Sequence, residues 1–143
     1  METVDSNTCE PRSSEQENLI QLPLGLLGFE HIKCYSLISQ ADEAPFKWFQ
    51  VPGDESLAFL VVNPFEVLPD YQPEISPDDV AFLRLPSPEE ALIFNIVTLR
   101  PGKRATVNLK GPVVLNRNDF RGKQVILANA SKYALQHPLP TAE

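Results

Sequence analysis

Few residues in this chain have the types and spacing that catalysis demands. His31-x-x-Cys34 places two soft ligands close together, and Cys9 and His137 are the only others. A structural zinc takes four ligands, usually as two close pairs. Here the second pair would have to come from opposite ends of the chain, so the spacing predicts no metal site. Cys34 beside His31 also has the make-up of a nucleophile and its base. Such a pair needs contact and a third, orienting group, and residues three apart on a strand face opposite ways. Cys34 therefore reads as a small half-buried apolar side chain. Carboxylates pair at Asp42-Glu43, Asp54-Glu55, Asp78-Asp79 and Glu89-Glu90. A general acid needs a desolvated pocket that raises its pKa, and each of these pairs lies in or beside a turn with no apolar shell around it in sequence. The chain is expected to have no catalytic residue, no cofactor and no metal, and not to be an enzyme.

What remains is the chemistry of binding. Phe65 and Tyr71 stand in a segment interrupted by Pro69, Pro73 and Pro77, among Glu66, Asp70, Glu74, Asp78 and Asp79. Loops carry function disproportionately, and aromatic side chains are favoured interface anchors. These seven residues are the candidate partner-binding site. The sequence leaves open whether the two rings anchor a partner or fold back onto the core.

Charge narrows the class of partner. The net charge is −7. Binding to nucleic acid rests on cations against phosphate, so an acidic chain opposes direct RNA or DNA binding and fits a basic protein. Lys103, Arg104 and Lys110 form a small basic group, without the interleaved aromatics that stack on bases. The charge is also unevenly spread. From Gln40 to Glu90 eleven acidic residues face only Lys47 and Arg84, a balance of −9, whereas Leu99 to Lys132 carries +7. Such asymmetry fits oriented partner binding, and it also fits two solvated faces that merely differ.

The elements that must position these residues are short. Fourteen prolines exclude long helices and favour β structure with many turns, because proline lacks an N–H and fixes φ. Strands are expected at Asn18–Leu22, Ile32–Ile38, Phe46–Val51, Leu57–Val62, Ala91–Leu99, Ala105–Leu109, Val113–Leu115 and Lys123–Ala128. The run Leu57–Val62 is apolar throughout, as in a strand covered on both faces. Gly25 and Gly28 predict a turn needing φ > 0. Pro52-Gly53-Asp54-Glu55 predicts a hairpin, and Arg100-Pro-Gly-Lys103 a further turn. Phe65 to Ile75 reads as a loop. Ser76-Pro77-Asp78-Asp79 reads as the start of one short helix, with a capping serine, a proline suited to the first position and acids at the positive end of the dipole.

The expected fold class is therefore mainly β: a small antiparallel barrel-like or sandwich domain with one short helix. A chain of 143 residues is one domain on length. That domain is expected over 18–143, after a disordered acidic extension over 1–17 that is too polar to offset the entropy of ordering. No leader of basic then apolar residues opens the chain, and no apolar run approaches the roughly 20 residues of a membrane helix. Two unpatterned cysteines then read as free thiols in a reducing cytoplasm, in a monomer that meets no membrane.

Four ordered blocks resemble the FliW family of bacterial flagellar assembly factors. They are Leu22-Pro-Leu-Gly-Leu-Leu-Gly-Phe-Glu30; Pro45-Phe46 with the strand Leu57 to Val62, Asn63-Pro-Phe65 and Pro69-Asp-Tyr71; Ala105-Thr-Val-Asn-Leu-Lys-Gly-Pro-Val-Val-Leu-Asn116; and Gln124-Val-Ile-Leu127 with Tyr133 and His137-Pro-Leu139. Leu27 stands where the family usually has proline, Asn63 where it has aspartate, Gly111 where it has alanine, and Gln136 where a basic residue is common. The resemblance implies a cytoplasmic, non-catalytic protein with two mutually exclusive partners, flagellin and the RNA-binding translational repressor CsrA. Flagellin that accumulates inside the cell would occupy the protein and leave CsrA free to repress flagellin translation. Export of flagellin would free the protein to capture CsrA. A reading from another class is a small barrel that binds a small ligand or RNA directly. It would need an interior cavity with convergent polar groups, whereas Leu, Val, Ile and Phe at strand positions predict a filled interior.

Overall fold

Alternation of side chains along the strands builds a nearly closed antiparallel barrel. The structure, a computed structural model, describes residues 19–39, 42, 46–99 and 105–139. The extension expected over 1–17 and the turn expected at 100–103 lie outside these residues, as do Lys103 and Arg104. Among the described residues there are nine strands: β1 (Leu19–Gln21), β2 (Cys34–Ser39), β3 (Phe46–Val51), β4 (Asp54–Val62), β5 (Ala91–Thr98), β6 (Thr106–Val107), β7 (Val113–Asn116), β8 (Gly122–Gln124) and β9 (His137–Pro138). They pair in the order β1-β2-β3-β4-β5-β6-β9, with β7 between β5 and β8. Gln21 closes the circuit from β1 to β8 through a bridge to Arg121 and a 3.0 Å bond from its N–H to the Phe120 carbonyl.

Strands β4, β5 and β7 send alternate residues to two cores. Ile20, Leu22, Tyr35, Phe49, Val61, Phe94, Val113 and Leu115 form the core inside the barrel. Val62, Tyr71, Leu83, Val97, Val107, Leu109, Val114, Val125 and Leu127 form an outer core beneath the helices and the C-terminal segment. Neighbouring residues therefore separate, Val61 inward and Val62 outward, which is why Leu57–Val62 of β4 and Val113–Leu115 of β7 read as unbroken apolar runs. These eight inner residues are at most 5% exposed.

Turn chemistry fixes the ends of the strands. Gly25 takes φ 70°, and a Cβ there would lie 2.5 Å from the Glu30 Cα, so only glycine fits. Glu30 Oε2 accepts from the Gly28 N–H at 3.1 Å. That bond and its own backbone N–H hold the Glu30 carboxyl below its usual range. In the signature segment Asn108 Oδ1 accepts from the N–H groups of Lys110 and Gly111, both at 3.0 Å. This side-chain turn swings the chain out of β6 and back into β7.

The structure departs from expectation in four places. Among the described residues there are two short α-helices rather than one: α1 (Pro64–Val67) precedes α2 (Pro77–Leu83). Asn63-Pro64 opens α1 with the same cap-and-proline chemistry that Ser76-Pro77 uses for α2. The strand expected over Lys123–Ala128 pairs as β8 only to Gln124, because Pro112 opposite has no N–H to continue the ladder. Strand β9 is two residues long, too short to leave a periodic signal. Cys34 is disulfide-bonded rather than a free thiol; the other cysteine of the chain, Cys9, lies outside the described residues. Pairing of that kind depends on two Cβ atoms meeting in space, which spacing along the chain does not reveal. Among the described residues no helix is long and apolar enough to cross a membrane.

Candidate functional site

The proline-broken segment after β4 is held in place by remote side chains. Asn63 Oδ1 accepts from the Phe65 N–H at 2.9 Å and starts α1. The chain then turns inward at Tyr71, which is 2% exposed. Its hydroxyl donates to the Leu109 carbonyl at 2.6 Å and accepts from Asn95 Nδ2 at 3.3 Å. Asn95 Nδ2 also donates to the Asn108 carbonyl at 2.7 Å, so the signature turn and Tyr71 share one buried network. Burial raises the Tyr71 hydroxyl to a pKa of about 12, against some opposition from the Asn95 hydrogen bond. Two residues of the C-terminal segment hold the rest of the loop. Tyr133 packs edge-on to Tyr71 with ring centres 4.8 Å apart, and its hydroxyl accepts from the Gln72 N–H at 3.0 Å. Asn129 Oδ1 accepts from the Glu74 N–H at 3.0 Å while its Nδ2 donates to the Gln72 carbonyl at 2.8 Å.

α2 is fixed by the opposite end of the signature segment. Ser76 Oγ accepts from the Asp79 N–H at 3.2 Å, and Arg84 ends the helix with φ 56°. Asn116 Nδ2 donates to the carbonyls of Leu83 and Arg84 at 2.9 and 3.2 Å, satisfying two of the acceptors a helix end leaves open. Asp79 forms a salt bridge with Lys123 on β8, and Lys123 and Arg121 both lie over the Phe82 ring.

Between α1, the loop, α2 and the start of β5 lies an apolar groove of about 530 Å³. Tyr71, Ile75, Val80, Leu85 and Ile93 line it, with Phe65 at its lip. Phe65 is 42% exposed, and its ring centre lies 5.9 Å from that of Tyr71. Glu66, Asp70, Glu74 and Asp78 are exposed, each within two residues of a lining residue.

The seven candidate residues thus divide. Phe65, Glu66, Asp70, Glu74 and Asp78 present themselves to solvent around one groove. Tyr71 folds back onto the core and shows the groove only its ring. Asp79 turns away from solvent toward Lys123, at 6% exposure. His31 is exposed, and among the described residues no group of three His, Cys, Asp or Glu side chains is arranged to hold a metal ion. Sequence reasoning missed Asn95 and Asn129 and gave Tyr133 no role. Asn95 did leave a signal: it is the single polar residue inside the apolar run Ala91–Val97, and a buried amide implies a partner.

The sequence model of the family described as "FliW protein" matches residues 3–139. The chain belongs to the FliW family of flagellar assembly factors. It is 39% identical over 114 residues to the flagellar assembly factor FliW of Leptospira biflexa, covering 78% of this chain and 74% of that protein. With the FliW of Natranaerobius thermophilus it shares 39% identity over 126 residues, 87% of this chain and 83% of the other. A crystal structure of the flagellar assembly factor FliW superposes with a TM-score of 0.75 at 27% identity, covering 85% of this chain and 84% of that one. The FliW signature segment therefore corresponds, in this chain, to the buried network and helix clamps that hold the groove open to solvent.

Proposed function

We propose that this protein is a cytoplasmic, monomeric binding protein that takes flagellin and a CsrA-type translational repressor in turn and so couples flagellin translation to flagellin export. It works by binding and not by catalysis. The observation that carries the reading is the grouping of the exposed Glu66, Asp70, Glu74 and Asp78 with the exposed Phe65 on α1, the loop after it and the start of α2, the loop being tied down by Asn95, Asn129 and Tyr133. An RNA-binding repressor must present cations to phosphate. An acidic surface docked beside those cations attracts the repressor and repels its RNA, with a reach of about 10 Å at 0.1 M salt. The apolar side chains packed in the barrel interior favour binding at the surface over an enclosed small-ligand site.

A gel-shift assay with flagellin leader RNA and the purified repressor tests this. The protein alone leaves the RNA unshifted, releases RNA from the repressor complex, and loses that effect when flagellin is added first. Direct retardation of the RNA, or a repressor complex unaffected by excess protein, overturns the reading.

A further inference from the structure

The wall of the barrel is incomplete where it meets the groove. β4 pairs with β5 only at Val61 with Ile96 and Val62 with Asn95. Beyond Val62 the chain leaves for α1 at Pro64, a residue with no N–H to offer. The other edge of β5 is fully used, since Ala91 to Phe94 pair with Asn116 to Val113 on β7. Within a strand, the N–H and C=O of one residue point to one edge and those of the next residue to the other. The Ile96 carbonyl accepts from Asn108 and the Glu90 carbonyl from Arg117, so even-numbered residues serve the β6–β7 edge. The N–H and C=O groups of Ala91 and Ile93 therefore turn to the edge that β4 has vacated. Both residues also line the groove.

We propose that the groove receives an extended segment of a partner protein that adds a short strand to Ala91–Ile93. Three features of the site define its chemistry. The backbone edge supplies sequence-independent hydrogen bonds, as in other strand additions. Alternate side chains of the segment are apolar, because Tyr71, Ile75, Val80 and Leu85 offer only apolar surface beneath it, with Phe65 as a lid. The remaining side chains are lysine or arginine, because Glu66, Asp70, Glu74 and Asp78 are exposed around the site and Arg84 is the one exposed cation adjoining a lining residue among those described. This rests on the function proposed above, under which the cationic partner is the repressor.

Amide hydrogen exchange by NMR, on the full chain with and without purified repressor, reads the strand directly. Exchange at Ala91 and Ile93 slows by at least about tenfold in the complex, while Leu92, already paired to β7, does not change; a tenfold change lies well within the range of local opening equilibria. Exchange of Phe65→Ser for the wild type weakens the complex by about tenfold, as expected of an aromatic anchor, without altering the Leu92 amide. A repressor complex that forms normally and leaves Ala91 and Ile93 unprotected overturns the inference while the proposed function stands. Protection of these amides by flagellin and not by the repressor overturns the assigned occupant. Absence of any complex with the wild-type chain overturns both, and calorimetry on the same samples identifies that case.

Discussion

The acidic segment 64–90 and the signature segment 105–127 differ in nearly every respect that a sequence displays. The second is apolar and strongly patterned, and in the structure Val107, Leu109, Val113, Val114 and Leu115 are all at most 1% exposed. Its polar residues act on the fold: Asn108 makes a turn, Asn116 ends α2, and Gln124 Oε1 accepts from the Leu27 N–H at 2.8 Å. The first segment is broken by prolines and carries the exposed acids and the exposed aromatic ring. The stretch by which the chain is most easily recognised is thus scaffold. The stretch that carries the proposed binding surface is irregular, and it is shaped by what the scaffold reaches out to hold. Asn95, Tyr133 and Asn129 are the links between the two.

The largest effect should come from the scaffold. Leu115→Ala removes a fully buried side chain from the barrel interior and should cost about 2–5 kcal/mol, seen as a lower midpoint in denaturant. Repressor binding by the fraction that remains folded should be unchanged. A selective loss of binding at intact stability would erase the division between scaffold and surface.

Next is the link. Tyr71 and Tyr35 are both raised to a pKa of about 12 by burial, against about 10 in an unfolded chain. The neutral form is favoured in the fold, so this contribution is complete below pH 10 and is lost as pH rises from 10 to 12. Thermal midpoints should hold steady from pH 7 to 9 and then fall steeply. Tyr71→Phe should shallow that fall, and an unaltered profile would mean that Tyr71 is not sealed in the network.

Within α2 two adjacent aspartates sharpen the contrast. Asp79 is buried against Lys123 and Asp78 is exposed. Asp79→Ala strands a partly buried lysine and should cost about 1–3 kcal/mol, or roughly 4 °C in melting temperature per kcal/mol. Asp78→Ala should change stability by no more than about 0.5 kcal/mol. Equal costs would show that the helix start has no buried side.

Much of this was legible in the sequence. Proline density and turn residues gave the β class, and Ser76-Pro77-Asp78-Asp79 placed the start of α2 at Pro77, because capping is chemistry between near neighbours. α1 carries the same Asn63-Pro64 signal but lasts four residues, too few for periodicity to register. The inward turns of Tyr71 and Asp79 were not legible. Their partners, Leu109 and Lys123, are 38 and 44 residues away, and only the folded barrel brings them together. The same holds for the vacated edge of β5, which follows from where β4 departs and not from any residue in β5.

Under the proposed function, exposed acids on α1, the loop after it and the start of α2 attract a cationic repressor. This attraction is tested most directly by calorimetry of repressor binding at low and at physiological salt, for the wild type and for a variant with Glu66, Asp70, Glu74 and Asp78 all changed to lysine. Asp79 is left in place because it belongs to the fold. The variant is expected to fold and to bind at low salt about tenfold or more weakly, with the gap narrowing as salt rises, since losing a complementary field mainly slows association and alters salt dependence. Equal affinities at low salt in a folded variant would contradict the proposed attraction.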